Sequence, residues 1–449
     1  MNDSLLSRDF RGYLAALEES GQVVRIQKSV ESRFELAAVT RHIQKTTNLP
    51  VIFQNVSGTD FAVASNAYGN YGILARLLGT EVSGVAKRWS EMTSAPDGQD
   101  LAPAPDDGPP AVNPIALSDV PHLIFCEKDA GPYITAGVVL ARDPESGVVN
   151  LSYHRMQIIS ETELRMRLSR SGDLYRFQQK AESGKQALEV AVLIGCSPAV
   201  ALAGAAPLAA GTSELALAER FAGRRMALRP CEEVKLNVPV DVEFVIEGAI
   251  LPDVRRPEGP FGEWMDFYVP VTDNHVLEVR RVTARENAVF HAVLSGSPEE
   301  LTLSAIPNAA LIYQAVRAFD PYVVDVACHP FVQFVVIKMK KQYEGQPQKA
   351  MLGAMGAETN RMLYCVVVDE DVDIHDLSDV VWAMTSRCRP DRDIFQVPNV
   401  PSFARDPHEV HWGRLCVDAT APLEWAEEFA RKRYPGLESV RLEDYLDRP

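Results

Sequence analysis

The chain has 449 residues, with 45 basic against 61 acidic side chains and a formal charge of −16. That length exceeds what one hydrophobic core usually covers, so two or three domains are expected. The acidic balance excludes a general nucleic-acid binder, which needs a basic footprint, and favours a protein that acts on small molecules.

In chain order, "MNDSLLSRDFRGYL" mixes acids with apolar residues and has no signal-peptide core. "DFRGYLAALEESGQVVRIQ" (9–27) carries helical spacing that stops at Gly21 and gives way to a β-rich run. "PVIFQNV" and "FAVASN" read as short strands, so residues 1–115 are expected to form an α/β domain. It ends in "SAPDGQDLAPAPDDGPPAVNP" (94–114), a Pro/Asp/Gly-rich linker or surface loop.

Residues 116–297 are dominated by strands separated by short turns, which indicates a barrel or sandwich. In "ELRMRLS", Leu164, Met166 and Leu168 alternate with Arg165, Arg167 and Ser169, a strand period following a hairpin turn. "VAVLIGCSPAVALAGAAPLAAG" (190–211) is uncharged, but it is small-residue-rich and broken by Pro198 and Pro207. It reads as a buried strand and a short helix, not a membrane span, which needs about 20 strongly apolar residues in one helix. Residues 298–319 read as a connecting helix interrupted near Pro307. In 320–449, "FVQFVVIKM" and "MLYCVVVDED" read as buried strands and "DLSDVVWAMTSRC" as a helix, giving a C-terminal α/β domain.

The seven cysteines are scattered and never spaced as CxxC, which fits reduced thiols in a cytoplasm. No GxGxxG after a strand, GxxxxGK[ST], HExxH or GxSxG is present. His408 and His411 in "HEVH" share a helical spacing but lack a third ligand. "PEGPFGEWMDFY" (257–268) sets Glu258 and Glu263 five residues apart on a turn braced by Gly259, Pro260 and Gly262. Taken alone, two solvated surface acids explain that stretch. Arg155, Arg167 and Arg170 sit on or beside strands, where they could hold an anion at a barrel mouth. Arg165 reads as part of a solvated strand face, and Trp264 and Phe267 as core aromatics or a substrate wall.

Six stretches, "DVPHLIFCEKDAGPYITAGVVLARDPESGVVNLSYHRMQ", "SELALAERFAG", "PEGPFGEWMDFY", "KKQYEGQPQKAMLGAMG", "DVVWAMTSRCRPDRD" and "CVDATAP", together resemble the UbiD-like decarboxylases, in that family's order. The resemblance implies an α+β chain: an N-terminal α/β domain, a central split β-barrel like that of flavin reductases, and a C-terminal α/β oligomerisation domain. It implies a cytoplasmic homodimer or larger homo-oligomer that reversibly decarboxylates an aromatic, heteroaromatic or α,β-unsaturated acid. The cofactor would be prenylated FMN, supplied by a flavin prenyltransferase and held through manganese with potassium nearby.

Carried over residue by residue, Arg155, Glu258 and Glu263 match the family's Glu–Arg–Glu network, and Glu263 matches the proton donor. Asn150 and Glu214 match metal ligands, and Lys349 a lysine at the cofactor phosphate. Ser152, Tyr153, His154, Arg155, Arg167, Leu168, Ser169, Arg170, Ser171 and Gly172 complete the implied cofactor site. Arg170 stands where the family usually has a histidine ligand, and a guanidinium cannot ligate a cation. Chemistry agrees with the resemblance. Decarboxylation leaves a carbanion that no side chain can delocalise, so a cofactor has to carry it. Arg155 can fork onto a carboxylate, and Glu263 has to hold a proton, which a dry pocket or its like-charged neighbour favours. Two other readings use the same fold: a subunit of a multi-component carboxylase, and a non-catalytic binding protein.

Overall fold

The structure is a computed structural model and describes residues 5–94, 101–104, 108–209, 211–329, 332–357, 361–401, 411–436, 439–441 and 444–445. The chain divides into two compact units, Met1–Gln314 with Ala327–Gln333, and Ala315–Val326 with Phe334–Pro449.

The first unit begins with the helix Phe10–Glu19, whose N-cap Asp9 accepts the Gly12 N–H at 2.8 Å. Strands Val24–Ile26, Val51–Phe53 and Ala62–Ser65 follow, as the sequence predicts. Their sheet is completed from far along the chain by Val289–Ala292, which pairs parallel with Ala62–Ser65. The sequence groups that strand with the barrel, because nothing local encodes a partner so distant. The helices Glu35–Thr46, Tyr71–Leu77 and Val85–Ser94 lie among these strands in the chain.

Six antiparallel strands then close on themselves, in the order Phe244–Glu258, Leu188–Ile194, Tyr133–Arg142, Val149–Ser160, Glu163–Met166, Thr272–Arg285 and back to Phe244–Glu258. Strand alternation decides the inside. Met156, Leu164, Met166, Val192, Ile246 and Leu277 are all buried in one apolar cluster, each contributing about 2 kcal/mol by removal from water. Leu151, Val138, Leu193 and Val245, of opposite parity, belong to a second cluster outside the barrel wall. Ser160 pairs with Glu163, so the hairpin expected there is present. The end of the expected linker is instead a strand, Val112–Ile115, added to Thr272–Arg285. The stretch 190–211 resolves into the strand Leu188–Ile194 and the helix Pro198–Ala203. The helix Pro298–Arg317 runs through Pro307 without a break, contrary to the expected interruption.

In the second unit the strands Phe334–Met339, Tyr364–Asp369, His411–Ala419 and Ile394–Pro401 form a sheet in that order. Phe334–Met339, Tyr364–Asp369 and His411–Ala419 are parallel, and Ile394–Pro401 adds antiparallel at the edge. The helices Gln346–Ala357 and Leu377–Ser386 accompany them. All seven cysteines are free thiols. Among the described residues no helix is long and apolar enough to cross a membrane. The His408–His411 pair falls largely outside the described residues.

Candidate active site

Glu258 is the last residue of the strand Phe244–Glu258, and Glu263 follows the two-residue strand Phe261–Gly262, which pairs with Tyr268–Val269. Between them Gly259 has φ +94°, a conformation that favours glycine, and the Gly259–Pro260 peptide is cis. The turn holds both acids out of solvent, Glu258 1 % and Glu263 9 % exposed, so they are not the two solvated surface acids that the stretch taken alone allowed.

Arg155 comes to both acids from the strand Val149–Ser160. Its Nε and Nη2 donate to Glu258 Oε1 and Oε2 at 3.2 and 3.1 Å, and its Nη1 donates to Glu263 Oε1. The guanidinium carbon lies 4.8 Å from the centre of the Phe261 ring, on the turn between the two acids. Burial disfavours the charge on Arg155, but Glu263, Glu258 and Tyr133 outweigh it and hold its pKa above the ordinary arginine value.

Two neutral donors, both missed in the sequence, finish Glu258. Tyr133 Oη donates to Oε1 at 3.0 Å and Asn274 Nδ2 to Oε2 at 2.8 Å. Tyr133 pairs across the sheet with Gln157, on the same face of its strand as Arg155, and Glu258 pairs with Thr272, two residues from Asn274. Burial, then the adjacent Glu258, raise the Tyr133 phenol well above its ordinary range, so it stays a donor. Each oxygen of Glu258 therefore accepts two hydrogen bonds, leaving neither with room for a proton of its own.

Arg165 is not solvated. Its side chain is 19 % exposed, its Nε donates to Glu163 at 2.8 Å, and its Nη1 donates to the carbonyl of Pro257, next to Glu258. Trp264 is buried and Phe267 is exposed.

A second polar group starts on the same strand. Asn150 Nδ2 donates to Glu214 Oε2 at 3.1 Å, and the Leu151 N–H donates to the same oxygen at 3.0 Å. Glu214 opens the helix Glu214–Ala222, with Ser213 at the N-cap position. Burial raises the Glu214 pKa against those donors, and the charge of Asp173 adds to the rise. Ser152 Oγ lies 3.2 Å from Asn150 Oδ1 and 3.0 Å from His154 Nε2. His154 Nδ1 is 3.3 Å from the Arg167 carbonyl. A carbonyl only accepts, so Nδ1 carries the hydrogen, and His154 Nε2 and Asn150 Oδ1 are both acceptors for the single Ser152 hydroxyl hydrogen. Burial pushes His154 down to about 4, keeping it neutral near pH 7.

Tyr153 packs against the outer apolar cluster, and Leu168 belongs to the barrel core, so its backbone is what it offers a ligand. Ser169, Arg170 and Ser171 are exposed on a turn that leads through Gly172 into the helix Asp173–Ser183. Lys349 lies in the second unit on the helix Gln346–Ala357, its Nζ 5.2 Å from the Phe319 ring centre.

Comparison with known proteins gives the same assignment along the whole chain. Models of the 3-octaprenyl-4-hydroxybenzoate carboxy-lyase family match in three parts: the N-terminal domain over 14–93, the Rift-related domain over 107–298, and the C-terminal domain over 301–419. Anhydromevalonate phosphate decarboxylase of Methanothermobacter thermautotrophicus is 33 % identical, over 94 % of this chain and 99 % of its own. The UbiD-class enzyme HmfF of Pelotomaculum thermopropionicum, solved with FMN, superposes with a TM-score of 0.91 at 34 % identity, covering 98 % of this chain and 100 % of its own. An evolved dimeric form of HmfF with prFMN gives 0.88 at 33 % identity, with the same coverage. Fold and matches together define a carboxy-lyase built on a split β-barrel. The chain belongs to the UbiD family and is a decarboxylase.

Proposed function

We propose that this chain reversibly decarboxylates an aromatic, heteroaromatic or α,β-unsaturated carboxylic acid, using prenylated FMN and the group Arg155, Glu258 and Glu263. The observation that carries the reading is one guanidinium bonded to both buried carboxylates. The similarity to HmfF, solved with FMN and with prFMN, supports the cofactor.

The residues present fit that group. Asn150 and Glu214 are in contact, Nδ2 to Oε2 at 3.1 Å, and each carries an oxygen of the hard kind that a divalent ion such as manganese takes. Among the described residues no cluster of three or more His, Cys, Asp or Glu side chains could hold a metal, so the remaining ligands would be phosphate and water oxygens. The exposed Ser169, Arg170 and Ser171, with Gly172, offer hydroxyls, a guanidinium and backbone N–H groups to a phosphate. Ser152, Tyr153, His154, Arg167 and the Leu168 backbone would line the flavin. When bound, the prenylated flavin supplies the electron sink for the carbanion.

The protein's own side chains do the rest. Arg155, fixed by Glu258, orients the substrate carboxylate. Glu258 is saturated by four donors and serves as the anchor of the arginine, not as an acid. Glu263 then carries the proton. With Oε1 on Arg155, the proton leaves from Oε2 to the carbon that has lost carbon dioxide, and returns there when the reaction runs in reverse.

Glu263→Gln is expected to abolish decarboxylation while flavin absorbance and one divalent ion per chain, by elemental analysis, are retained. Unchanged turnover in that variant would remove Glu263 from the mechanism.

A further inference from the structure

Glu263 lies just beyond the glycine that ends a short strand, yet its orientation toward Arg155 has to be reproducible for proton transfer. The segment "FCEKDA" (125–130) supplies the constraint. Asp129 Oδ1 accepts the N–H of Gly262, the residue before Glu263, at 2.8 Å. Its Oδ2 accepts the N–H groups of Cys126 and Phe125 at 2.8 and 3.3 Å, and its own N–H donates to the Cys126 carbonyl at 3.0 Å. The next residue, Ala130, donates to the Pro260 carbonyl at 2.9 Å. Pro260 and Gly262, both between the two glutamates, are thus pinned to adjacent residues of a distant segment. The packing is tight, since a Cβ on Gly262 would lie 2.8 Å from Cys126 Sγ. Burial disfavours a carboxylate at 129 and raises its pKa, while three backbone donors and the charge of Arg155 work against that rise.

We infer that Asp129 is a positioning residue, setting Glu263 against Arg155 through the backbone of Gly262. This rests on the reading of Glu263 as the proton donor. Asp129 offers one oxygen to each side of the junction. An amide has a single acceptor oxygen, and its NH₂ would meet a backbone N–H, so Asp129→Asn gives up one side.

In flavin-loaded enzyme, D129N is expected to lower kcat by about ten- to a hundredfold, as a misplacement near 1 Å does, with KM within about threefold. In cofactor-free protein the Cys126 thiol, against which Gly262 packs, is expected to be alkylated several times faster in D129N than in wild type at equal thiolate fraction. The rates are read by peptide mass spectrometry across pH, because burial and then the Asp129 charge raise that thiol's pKa. A second route avoids Asp129. Gly262→Ala drives a methyl into Cys126 Sγ and is expected to lower kcat similarly, and adding Cys126→Ala is expected to restore it. Recovery in the double variant, or the kcat loss together with faster alkylation in D129N, supports the role. If D129N and G262A keep wild-type kcat while E263Q is inactive, Asp129 does not position the acid. A kcat loss that neither the double variant nor the alkylation rate tracks has the same consequence. An active E263Q overturns the underlying reading instead.

Discussion

The two ends of the strand Phe244–Glu258 hold two buried glutamates in opposite ways. Glu243, immediately before the strand, is 0 % exposed and accepts four bonds: two from Arg11, at 2.9 and 2.6 Å, one from Arg285 at 3.0 Å, and one from the Val289 N–H at 2.9 Å. Arg285 also reaches Asp9 at 2.8 Å. Glu258, at the far end, likewise accepts four bonds, but from one arginine and two neutral groups, Tyr133 and Asn274. Its arginine spends the remaining nitrogen on Glu263. At the first end Arg11 and Arg285 meet Glu243 and Asp9, with Asp241 two residues away, and the helix Phe10–Glu19 is tied to the barrel. At the second end Arg155 alone bridges two acids, and in the proposed reading one of them, Glu263, holds the exchangeable proton. Burial and hydrogen bonding do not by themselves separate a structural ion pair from the proposed reactive one; what differs is the number of arginines on each glutamate, two at Glu243 and one at Glu258.

Arg155→Lys tests this contrast at its strongest point. Lysine keeps the charge but cannot fork onto Glu258 while reaching Glu263, so kcat at equal flavin occupancy should drop by about a hundred- to a thousandfold. A rate within tenfold of wild type would mean that charge alone suffices and that the two ends differ less than their geometry implies. At the other end, Glu243→Gln leaves the partly buried guanidinium groups of Arg11 and Arg285 without their shared counter-charge. It should cost about 3 kcal/mol of stability, read from denaturant unfolding, with kcat of the folded, loaded enzyme unchanged. A loss of kcat without loss of stability would erase the distinction.

Tyr133→Phe is a finer test. It frees a lone pair on Glu258 Oε1 without altering the charge count. A single donor to a carboxylate is worth about 1.5 kcal/mol, so about a tenfold fall in kcat is expected. If kcat is unmoved, saturation of Glu258 is not what confines the proton to Glu263.

The parts of this arrangement legible in the sequence are those written locally. The alternation of Leu164 and Met166 with Arg165 gave the strand and its inward face, because a half-buried strand repeats every two residues. The order of the motifs led to Arg155, Glu258 and Glu263, which the fold brings into contact across 103 and 108 residues. The supports were not legible. Tyr133 and Asp129 lie 125 and 133 residues from their partners, and nothing in "GPY" or "KDA" marks a donor or acceptor for a distant turn. Asn274 is only 16 residues from Glu258, but its contact depends on strand register across an irregular pairing. Arg165 was misread because alternation marks a face as outward without saying that a neighbouring turn will cover it. Pro307 inside a helix and the parallel pairing of Val289–Ala292 are likewise set by tertiary packing, which overrode the local signals.

The smallest expected effect concerns the Glu243 end and carries a sign. Asp241, two residues before Glu243, is raised from 3.8 to about 6, first by burial and then by the charge of Asp9, with Arg285 and Arg224 pulling the other way. Between those values the folded chain binds a proton that the unfolded chain has released, so stability falls as the pH rises through that window. Asp241→Asn removes the ionised form but keeps an oxygen that can accept the residue's own N–H. Its Tm should exceed that of wild type by about 2–4 °C at pH 8, and the gain should vanish toward pH 3, where the wild-type carboxyl is largely neutral in both states. Calorimetry at the two pH values separates the outcomes. An equal gain at both would trace the effect to packing, and a loss at pH 8 would show that the aspartate charge belongs to the balance that holds this end of the strand.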